Sequence, residues 1–256
     1  MIGSDPEFFI KDPLGRPVPA HRFFPYKTHA TVVGDGVIAY RDGYALELNI
    51  KPGRTGLEVV NRIMAGVRGA ARLLPPGYYL EALPTVSINL AEDLKDAPED
   101  VLHFGCEPSY CAYTGARKVP RINAWEHPKR YAGLHMHFSA PEREIRPGRR
   151  FSWLTDIRNH RLFIRMLDGF LTSKPRPGDA ERRRYYGQAG EYRPQQYPGA
   201  MGIEYRTPSP WLWSLPKQAV AFCFDRGYDI FKDFQFYKNG WSENPGARSL
   251  INRGGA

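Results

Sequence analysis

The chain has 256 residues, of which 42% are hydrophobic and 25% charged, and its formal net charge is +9. This composition is typical of one large globular domain with a filled core, and it argues against disorder over most of the length. Charge interrupts every apolar run well before the roughly 18 residues of a membrane span, and no secretory signal precedes the first strand. Three cysteines without a close pair argue against a disulfide framework. We therefore expect a cytoplasmic protein that does not enter a membrane.

The positive charge predicts an anionic partner. Nucleic acid, a nucleotide and an acidic substrate all fit this prediction. Basic residues are concentrated at Arg149-Arg150, from Arg158 to Arg165 and from Arg182 to Arg184. Because a solvated surface explains many such residues, charge alone does not choose among these partners.

The first part of the chain predicts strands and then a helix. Strands are predicted over residues 2–10, 32–40 and 44–50. Thr55 and Glu58 have the spacing of a capping box, and an apolar stripe continues from Val59 to Leu74. We therefore expect a helix that ends before Pro75.

The rest of the chain mixes strands and helices. Short strands are predicted over residues 78–83, 85–90, 133–139 and 201–207, and helices over 151–171 and 216–234, the last one capped by Ser214. Residues 91–100 predict an acidic loop or short helix. Prolines, glycines and arginines dominate residues 173–198, which predict a long loop. Residues 239–256 predict a polar, poorly ordered tail after a single domain over 1–238.

Four of the predicted strands carry acids or histidines at alternate positions. They are Asp5 with Glu7, Glu47 with Asn49, His135 with His137, and Glu204 with Arg206. Because alternate positions of a strand share one face, each strand directs two polar groups to one side of the sheet. Buried charges without a metal or partner cost several kcal/mol each, so their place in otherwise apolar segments indicates a site.

Carboxylates and an imidazole are ligands that suit Mg²⁺ or Mn²⁺. The predicted metal ligands are Asp5, Glu7, Glu47, His135 and Glu204. Together they have enough groups for two ions about 3.5–4 Å apart, the separation that clamps a transferring phosphoryl group. Arg206 would lie on the same side as Glu204, and a guanidinium is a natural partner for phosphate.

Each of these features also has an ordinary explanation. A His-x-His segment is more often packing or surface than a ligand, and it also suits zinc. Glu204 and Arg206 suit a structural ion pair, and the arginines at 182–184 suit nucleic acid phosphates. Two further classes therefore stay open: a zinc or manganese hydrolase that activates water, and a basic nucleic-acid-binding or virion-associated protein.

Five segments, in this order along the chain, resemble one family. They are GSDPEFF (3–9), ALELN (45–49) followed by Pro52, RYAGLHMH (130–137), YGQAG (186–190) with Arg193, and IEYRTPS (203–209). The chain resembles the phage carboxylate-amine ligases of the glutamine-synthetase-like superfamily, in the phiEco32-like type 2 group. The resemblance covers roughly residues 2 to 213.

The resemblance implies an α+β fold with a curved, largely antiparallel catalytic sheet and helices on its outer face. It also implies an ATP-dependent amidoligase in the cytoplasm of a phage-infected or prophage-carrying bacterium. In this chemistry the γ-phosphoryl group of ATP passes to a carboxylate, and an amine then displaces phosphate from the acyl phosphate. ATP and Mg²⁺ or Mn²⁺ are the implied cofactors, and the substrates are small-molecule or peptide carboxylates and amines. Nucleic acid is a possible partner but is not required.

The resemblance also implies roles for individual residues. Those that resemble metal ligands are Asp5, Glu7, Glu47, His135 and Glu204. Those that resemble the catalytic set are Arg206, Glu204 and Glu7. Those that resemble ATP- or substrate-binding residues are His137, Arg184, Arg193 and Asn49. Two departures from the family are Asp5, where glutamine synthetases carry glutamate, and Leu134, where the family carries a second glycine.

Overall fold

A computed structural model of the protein describes residues 1–102, 108–118, 122–171 and 179–253. The strands are β1 (Ile2–Lys11), β2 (Pro17–Val18), β3 (Thr31–Gly34), β4 (Val37–Asp42), β5 (Ala45–Ile50), β6 (Tyr79–Glu81), β7 (Thr85–Ser87), β8 (Ser109–Cys111), β9 (Arg117–Lys118), β10 (Lys129–Tyr131), β11 (Leu134–Pro141), β12 (Glu191–Tyr197) and β13 (Ala200–Tyr205). The α-helices are α1 (Gly56–Ala71), α2 (Leu90–Asp93), α3 (Ile157–Leu171), α4 (Asp179–Tyr185), α5 (Lys217–Lys232), α6 (Phe234–Gly240) and α7 (Ala247–Arg253).

One large antiparallel sheet organises the fold. Its strands follow the order β3-β4-β5-β1-β11-β13-β12-β8-β9, and β2 and β6 also pair with β1. Strands β7 and β10 form a separate antiparallel pair. The protein is therefore an α+β protein with a large antiparallel sheet and helices, which confirms the predicted class at this level. Within the described residues, no helix is both long and apolar enough to cross a membrane.

Strand β1 sets the register of the strands that carry the predicted site. Its Asp5 lies opposite His135 on β11, and its Glu7 lies opposite Glu47 on β5. His137 on β11 lies opposite Glu204 on β13. Directly opposite residues of an antiparallel pair project to the same face. The acids and histidines of four strands therefore share one face of the sheet.

The reverse face of the sheet carries the main hydrophobic core. Phe138 of β11 packs against Phe163 of α3 and Phe231 of α5, with ring centroids 5.7 and 6.0 Å apart. Helix α1 packs against α5 and against β1, β4 and β5. Burial of this apolar surface, at roughly 25 cal/mol per Å², stabilises the sheet and thereby holds the polar face in place.

A second, smaller core lies at one end of the polar face. Phe9 of β1 and Ala45 of β5 share that face with Glu7 and Glu47, because they follow the same alternation. Their cluster also includes Tyr44, Val86, Ile88, Leu94, Val101, Leu102 and Ala132. Glu7 and Glu47, on the same face, are buried as well.

Helix α1 begins as the capping-box spacing predicts. The hydroxyl oxygen of Thr55 accepts a hydrogen bond from the backbone N–H of Glu58 at 3.2 Å. This bond satisfies one of the unpaired donors of the first turn, and such a cap stabilises a helix by about 1 kcal/mol. Helix α5 differs from the prediction, because it begins at Lys217 with Pro216 at the N-cap position and without a cap from Ser214.

The predicted loop over residues 173–198 is wrong, because its described part contains α4 and β12. Residues 172–178 lie outside the described residues. The guanidinium of Arg182 is buried and donates to four main-chain carbonyl oxygens, those of Ala132, Arg206, Thr207 and Pro208. A composition typical of loops therefore forms a helix here, because its arginine binds backbone acceptors from distant segments.

The predicted polar tail is also wrong over much of its length. Helix α7 packs against α3 and α4, and its Ile251 is buried. The side-chain oxygen of Asn252 accepts a hydrogen bond from the backbone N–H of Ala189 at 2.8 Å. The described fold therefore continues past the predicted domain end at residue 238, to Arg253.

Helix α3 is shorter than the helix predicted over residues 151–171. It begins at Ile157, after a 3₁₀ turn (Ser152–Thr155).

Gly227 on α5 allows the close approach of Phe138, and we predict that Gly227→Ala destabilises the fold. A Cβ atom at this position would lie 2.5 Å from Cζ of Phe138, whose ring is fully buried. Overpacking of this kind costs about 1–3 kcal/mol. Urea unfolding measures the loss.

Gly169 on α3 is the matched control, because nothing lies within 4 Å of the position of its Cβ atom. Gly169→Ala should gain up to about 1 kcal/mol from helix propensity. Equal effects of the two substitutions would contradict the packing of α5 on β11.

Candidate metal centre

Two groups of possible metal ligands lie on the polar face of the sheet. The first consists of Asp5, His135 and Glu204, and the second of Glu7, Asp42 and Glu47. In each group, one ligand atom from every residue lies within 4.8 Å of the others. The structure thus brings together all five predicted metal ligands and adds Asp42. We call these three-residue sets the first and the second ligand group.

Both histidines of β11 approach the same oxygen of Asp5. Nδ1 of His135 and Nε2 of His137 each lie 3.0 Å from Asp5 Oδ1. Within the described residues, these three buried atoms have no partner with hydrogen-bond geometry. Buried polar atoms are almost always hydrogen-bonded, so a cluster of such exceptions calls for a ligand. Nitrogen and carboxylate donors of this kind fit a divalent cation.

A tyrosine hydroxyl holds the other ring nitrogen of each histidine. Tyr186 is hydrogen-bonded to Nε2 of His135, and Tyr197 to Nδ1 of His137 at 2.6 Å. Metal-binding histidines usually have such a partner on the second nitrogen, because it fixes the orientation of the ring. Both rings are therefore oriented with one nitrogen toward Asp5.

Glu204 joins the first ligand group to two arginines. Arg206 donates to Glu204 Oε1, and Arg193 donates to Glu204 Oε2 at 3.2 Å. Burial acts to raise the pKa of Glu204, but Arg206 and His135 outweigh burial and lower it. Burial likewise opposes the ionisation of Asp5, but His137 and His135 lower its pKa overall. The first group therefore has two ionised carboxylates at neutral pH.

The second ligand group has too little positive charge around it. Burial and the neighbouring Asp42 raise the pKa of Glu7 to about 8. Burial and the charge of Asp5 likewise raise the pKa of Glu47. Glu7 is held by a hydrogen bond from the backbone N–H of Gly133 at 2.6 Å, and Glu47 by one from the hydroxyl of Tyr40. A divalent cation would relieve the repulsion among these carboxylates.

The other predicted residues divide between the site and the surface. Arg206 and Arg193 join the site through Glu204. His137 and Asn49 line a cavity of about 450 Å³ beside β1, together with Lys51. Arg184 does not join them, because its side chain is 70% exposed on α4 and pairs with Glu181 at 3.5 Å.

The sequence interpretation missed several residues of the site. Asp42 shares a face with Tyr40, which lies opposite Glu47, so the alternation that indicated the other strands was present there too. Tyr186 belongs to one of the quoted motifs, yet no periodic pattern assigns it a position. Glu191 is buried and binds Lys118 at 2.9 Å, a contact between distant strands that spacing does not reveal.

No protein-family model and no curated protein matches this chain. The class of the site therefore rests on its geometry alone. The six residues of the two ligand groups offer carboxylate and imidazole donors on one face of the sheet, and such donors could hold divalent cations.

We predict that the metal-free protein loses stability as the pH rises from about 4.5 to about 8. The pKa of Glu7 is raised from its ordinary 4.5 to about 8, so the folded state keeps a proton that the unfolded state has lost. The resulting stabilisation is present below the unfolded pKa and disappears as the pH rises through the folded pKa. In EDTA, the free energy of unfolding should fall between about pH 4.5 and about pH 8, and Glu7→Gln should make this slope shallower by up to about 1.4 kcal/mol per pH unit.

Denaturant unfolding at a series of pH values measures this slope. Glu126→Gln is the matched control, because Glu126 is exposed and should keep the wild-type slope. A wild-type slope in Glu7→Gln would mean that Glu7 is ionised in the metal-free fold.

Proposed function

We propose that the protein is an ATP-dependent carboxylate-amine ligase, which forms an amide bond through an acyl phosphate at a divalent-metal site. The observation that carries this proposal is the placement of two ligand groups and Arg206 on one face of the sheet. Phosphoryl transfer needs positioned cations rather than a protein nucleophile. A site made of metal ligands and arginines has the parts that this reaction needs.

The first ligand group would hold one Mg²⁺ or Mn²⁺ ion and the second group another. When bound, they would supply positive charge that neutralises the charge developing on the transferred phosphoryl group. The residues fit this role, because Asp5 Oδ1, His135 Nδ1 and His137 Nε2 converge without hydrogen bonds to one another. The raised pKa of Glu7 also indicates that the second group lacks a cation's charge.

In this proposal, Arg206 is the residue that would bind the transferred phosphoryl group. Its guanidinium is held by Glu204 and lies over the ring of Tyr186, 5.4 Å from the ring centroid. A guanidinium fixed in this way presents planar donors to phosphate oxygens without a further loss of rotamer freedom. Arg193, on the other side of Glu204, adds a second positive charge to the same region.

The cavity beside β1 offers a place for a substrate. It measures about 450 Å³ and is lined by His137, Asn49 and Lys51 among others. Cavities of roughly 300–1,000 Å³ hold small ligands. Lys51 and His137 would favour an anionic group, so a carboxylate or a phosphate of the substrates fits this cavity.

Two bonds form and two break in the proposed reaction. A carboxylate oxygen attacks the γ-phosphorus, and ADP leaves with the electrons of the broken phosphoanhydride bond. The amine nitrogen then attacks the carbonyl carbon and loses a proton, while inorganic phosphate leaves.

We further propose that the sheet has a glutamine-synthetase-like curvature. We also propose that the protein acts in the cytoplasm of a phage-infected or prophage-carrying bacterium. The antiparallel sheet with helices on its reverse face supports this fold assignment.

One observation favours a metal-dependent hydrolase as a second candidate. The convergence of two imidazole nitrogens on Asp5 also suits zinc or manganese, which would activate a water molecule. A hydrolase needs no nucleotide. Release of phosphate from ATP that depends on both a carboxylate and an amine would therefore decide for the ligase, and turnover without ATP for the hydrolase.

The basic nucleic-acid-binding candidate finds less support in the fold. Arg182 and Arg183, two of the three consecutive arginines, are buried and donate to main-chain carbonyl oxygens. They are therefore not available to phosphates of a nucleic acid. Salt-dependent DNA or RNA binding that survives Glu7→Gln and Glu204→Gln, without nucleotide turnover, would favour this candidate over the ligase.

We predict that Glu204→Gln or Arg206→Ala abolishes phosphoryl transfer and leaves the fold intact. The two residues form one ion pair beside the first ligand group, so either change removes the charge arrangement that faces the phosphoryl group. Phosphate release from ATP, screened across carboxylate and amine pairs, measures the activity, and circular dichroism measures the fold.

Two exposed positions give matched controls for these substitutions. They are Glu126→Gln and Arg158→Ala, and Arg158 is 84% exposed. Both controls should keep wild-type turnover. Wild-type ATP turnover in Glu204→Gln or Arg206→Ala would refute the assignment of the site.

We predict that Glu47→Gln weakens metal binding most visibly at low Mg²⁺. The change removes one ligand charge from the second group, so half-maximal activity should require a higher Mg²⁺ concentration. A Mg²⁺ titration of phosphate release, with wild type and Glu126→Gln beside it, measures the shift. The same Mg²⁺ dependence in all three proteins would count against Glu47 as a ligand.

A further inference from the structure

Tyr186 reaches the centre of the site with a single hydroxyl group. Its oxygen is hydrogen-bonded to Nε2 of His135, and it lies 3.1 Å from Glu7 Oε1 and 3.3 Å from Arg206 Nη2. The side chain is buried. One hydroxyl therefore contacts a member of the first ligand group, a member of the second, and the arginine assigned to phosphate.

The chemistry of these partners determines the direction of each hydrogen bond. A guanidinium only donates, and an ionised carboxylate only accepts. Arg206 therefore occupies one lone pair of the hydroxyl oxygen, and Glu7, when it is ionised, accepts the hydroxyl proton. The remaining lone pair accepts the proton of His135 Nε2. With Glu7 ionised, as a bound divalent cation would make it, the ring proton lies on Nε2 and Nδ1 is unprotonated.

Nδ1 is the nitrogen of His135 that faces the first ligand group. It lies 3.0 Å from Asp5 Oδ1 and 3.5 Å from Glu204 Oε1. A metal binds the unprotonated nitrogen of a neutral imidazole. The contact with Tyr186 therefore leaves the metal-binding tautomer of His135 oriented toward the two carboxylates.

The surrounding chain holds the hydroxyl in this position. The guanidinium of Arg182 lies 4.8 Å from the centroid of the Tyr186 ring, and it is itself fixed by backbone carbonyl oxygens. Gly187 has a φ of 62°, and a Cβ atom there would lie 2.3 Å from that guanidinium. A Cβ atom at Gly133 would lie 2.9 Å from the Tyr186 hydroxyl. Positions 133 and 187 therefore accommodate only glycine while Tyr186 and Arg182 keep these positions.

We propose that Tyr186 is a positioning residue, which selects the metal-binding tautomer of His135 and links both ligand groups to Arg206. This inference rests on the metal site of the proposed function and adds to it a residue that acts through others. Partners of this kind usually change metal affinity about 10–100-fold when they are removed.

Mn²⁺ binding to purified protein, followed by the electron paramagnetic resonance signal of free Mn²⁺, tests the proposal without any substrate. Tyr186→Phe should bind Mn²⁺ about 10–100-fold more weakly than wild type. Tyr205→Phe is the matched control, because its buried hydroxyl binds Asp168 at 2.6 Å on the reverse face of the sheet. This control should lower thermal stability but keep wild-type Mn²⁺ affinity. Folded Tyr186→Phe with wild-type affinity would overturn the proposal.

A second measurement uses the wild-type protein and does not depend on the folding of a variant. Two-bond ¹H–¹⁵N spectra of the Mg²⁺-saturated protein show which ring nitrogen carries the proton, and His135→Gln identifies the signals of His135. We expect the proton on Nε2, and a proton on Nδ1 would overturn the proposal. Absence of any Mn²⁺ binding by wild type would instead refute the metal site itself, and with it the proposed function.

Discussion

The pairing of β1 with β5 on one side and with β11 on the other is the constraint on which the site depends. This register sets Glu7 opposite Glu47 and Asp5 opposite His135. Because the side-chain period of a strand is two, a shift by one residue would move every one of these groups to the apolar face. The core on that reverse face therefore fixes the site, since burying charged side chains among Phe138 and its neighbours would cost several kcal/mol for each group.

The two ligand groups on the polar face differ in the charges that surround their carboxylates. In the first ligand group the charge of Asp5 lies against His137 and that of Glu204 against Arg206, so the pKa values of both carboxyl groups are lowered despite their burial. In the second group burial and like charges dominate, so the pKa of Glu7 is raised to about 8. Unequal environments of this kind are typical of functional sites. Tyr186 contacts His135 of the first group and Glu7 of the second, so a change of charge in one group would alter the hydrogen bonding of the other.

The family resemblance implied the α+β class, and alternation along the strands, which is a local property, indicated which polar residues share one face of the sheet. The alternation correctly indicated that Asp5, Glu7, Glu47, His135 and Glu204 share a face. The sequence did not predict α4, because that helix depends on the binding of Arg182 to carbonyl oxygens of distant residues. Helix α7 was missed for a similar reason, since Asn252 finds its partner at Ala189. Strand register, and with it the contacts of Tyr186, follows from non-local pairing that no sequence period encodes.

The central claim is that the two ligand groups bind divalent cations next to a phosphate site. Anomalous diffraction from crystals grown with Mn²⁺ and a non-hydrolysable ATP analogue tests it most directly. The structure predicts one peak among Asp5, His135 and Glu204 and another among Glu7, Asp42 and Glu47, with the γ-phosphate analogue within reach of Arg206. A map that shows no manganese peak at the first ligand group and none at the second would contradict the claim.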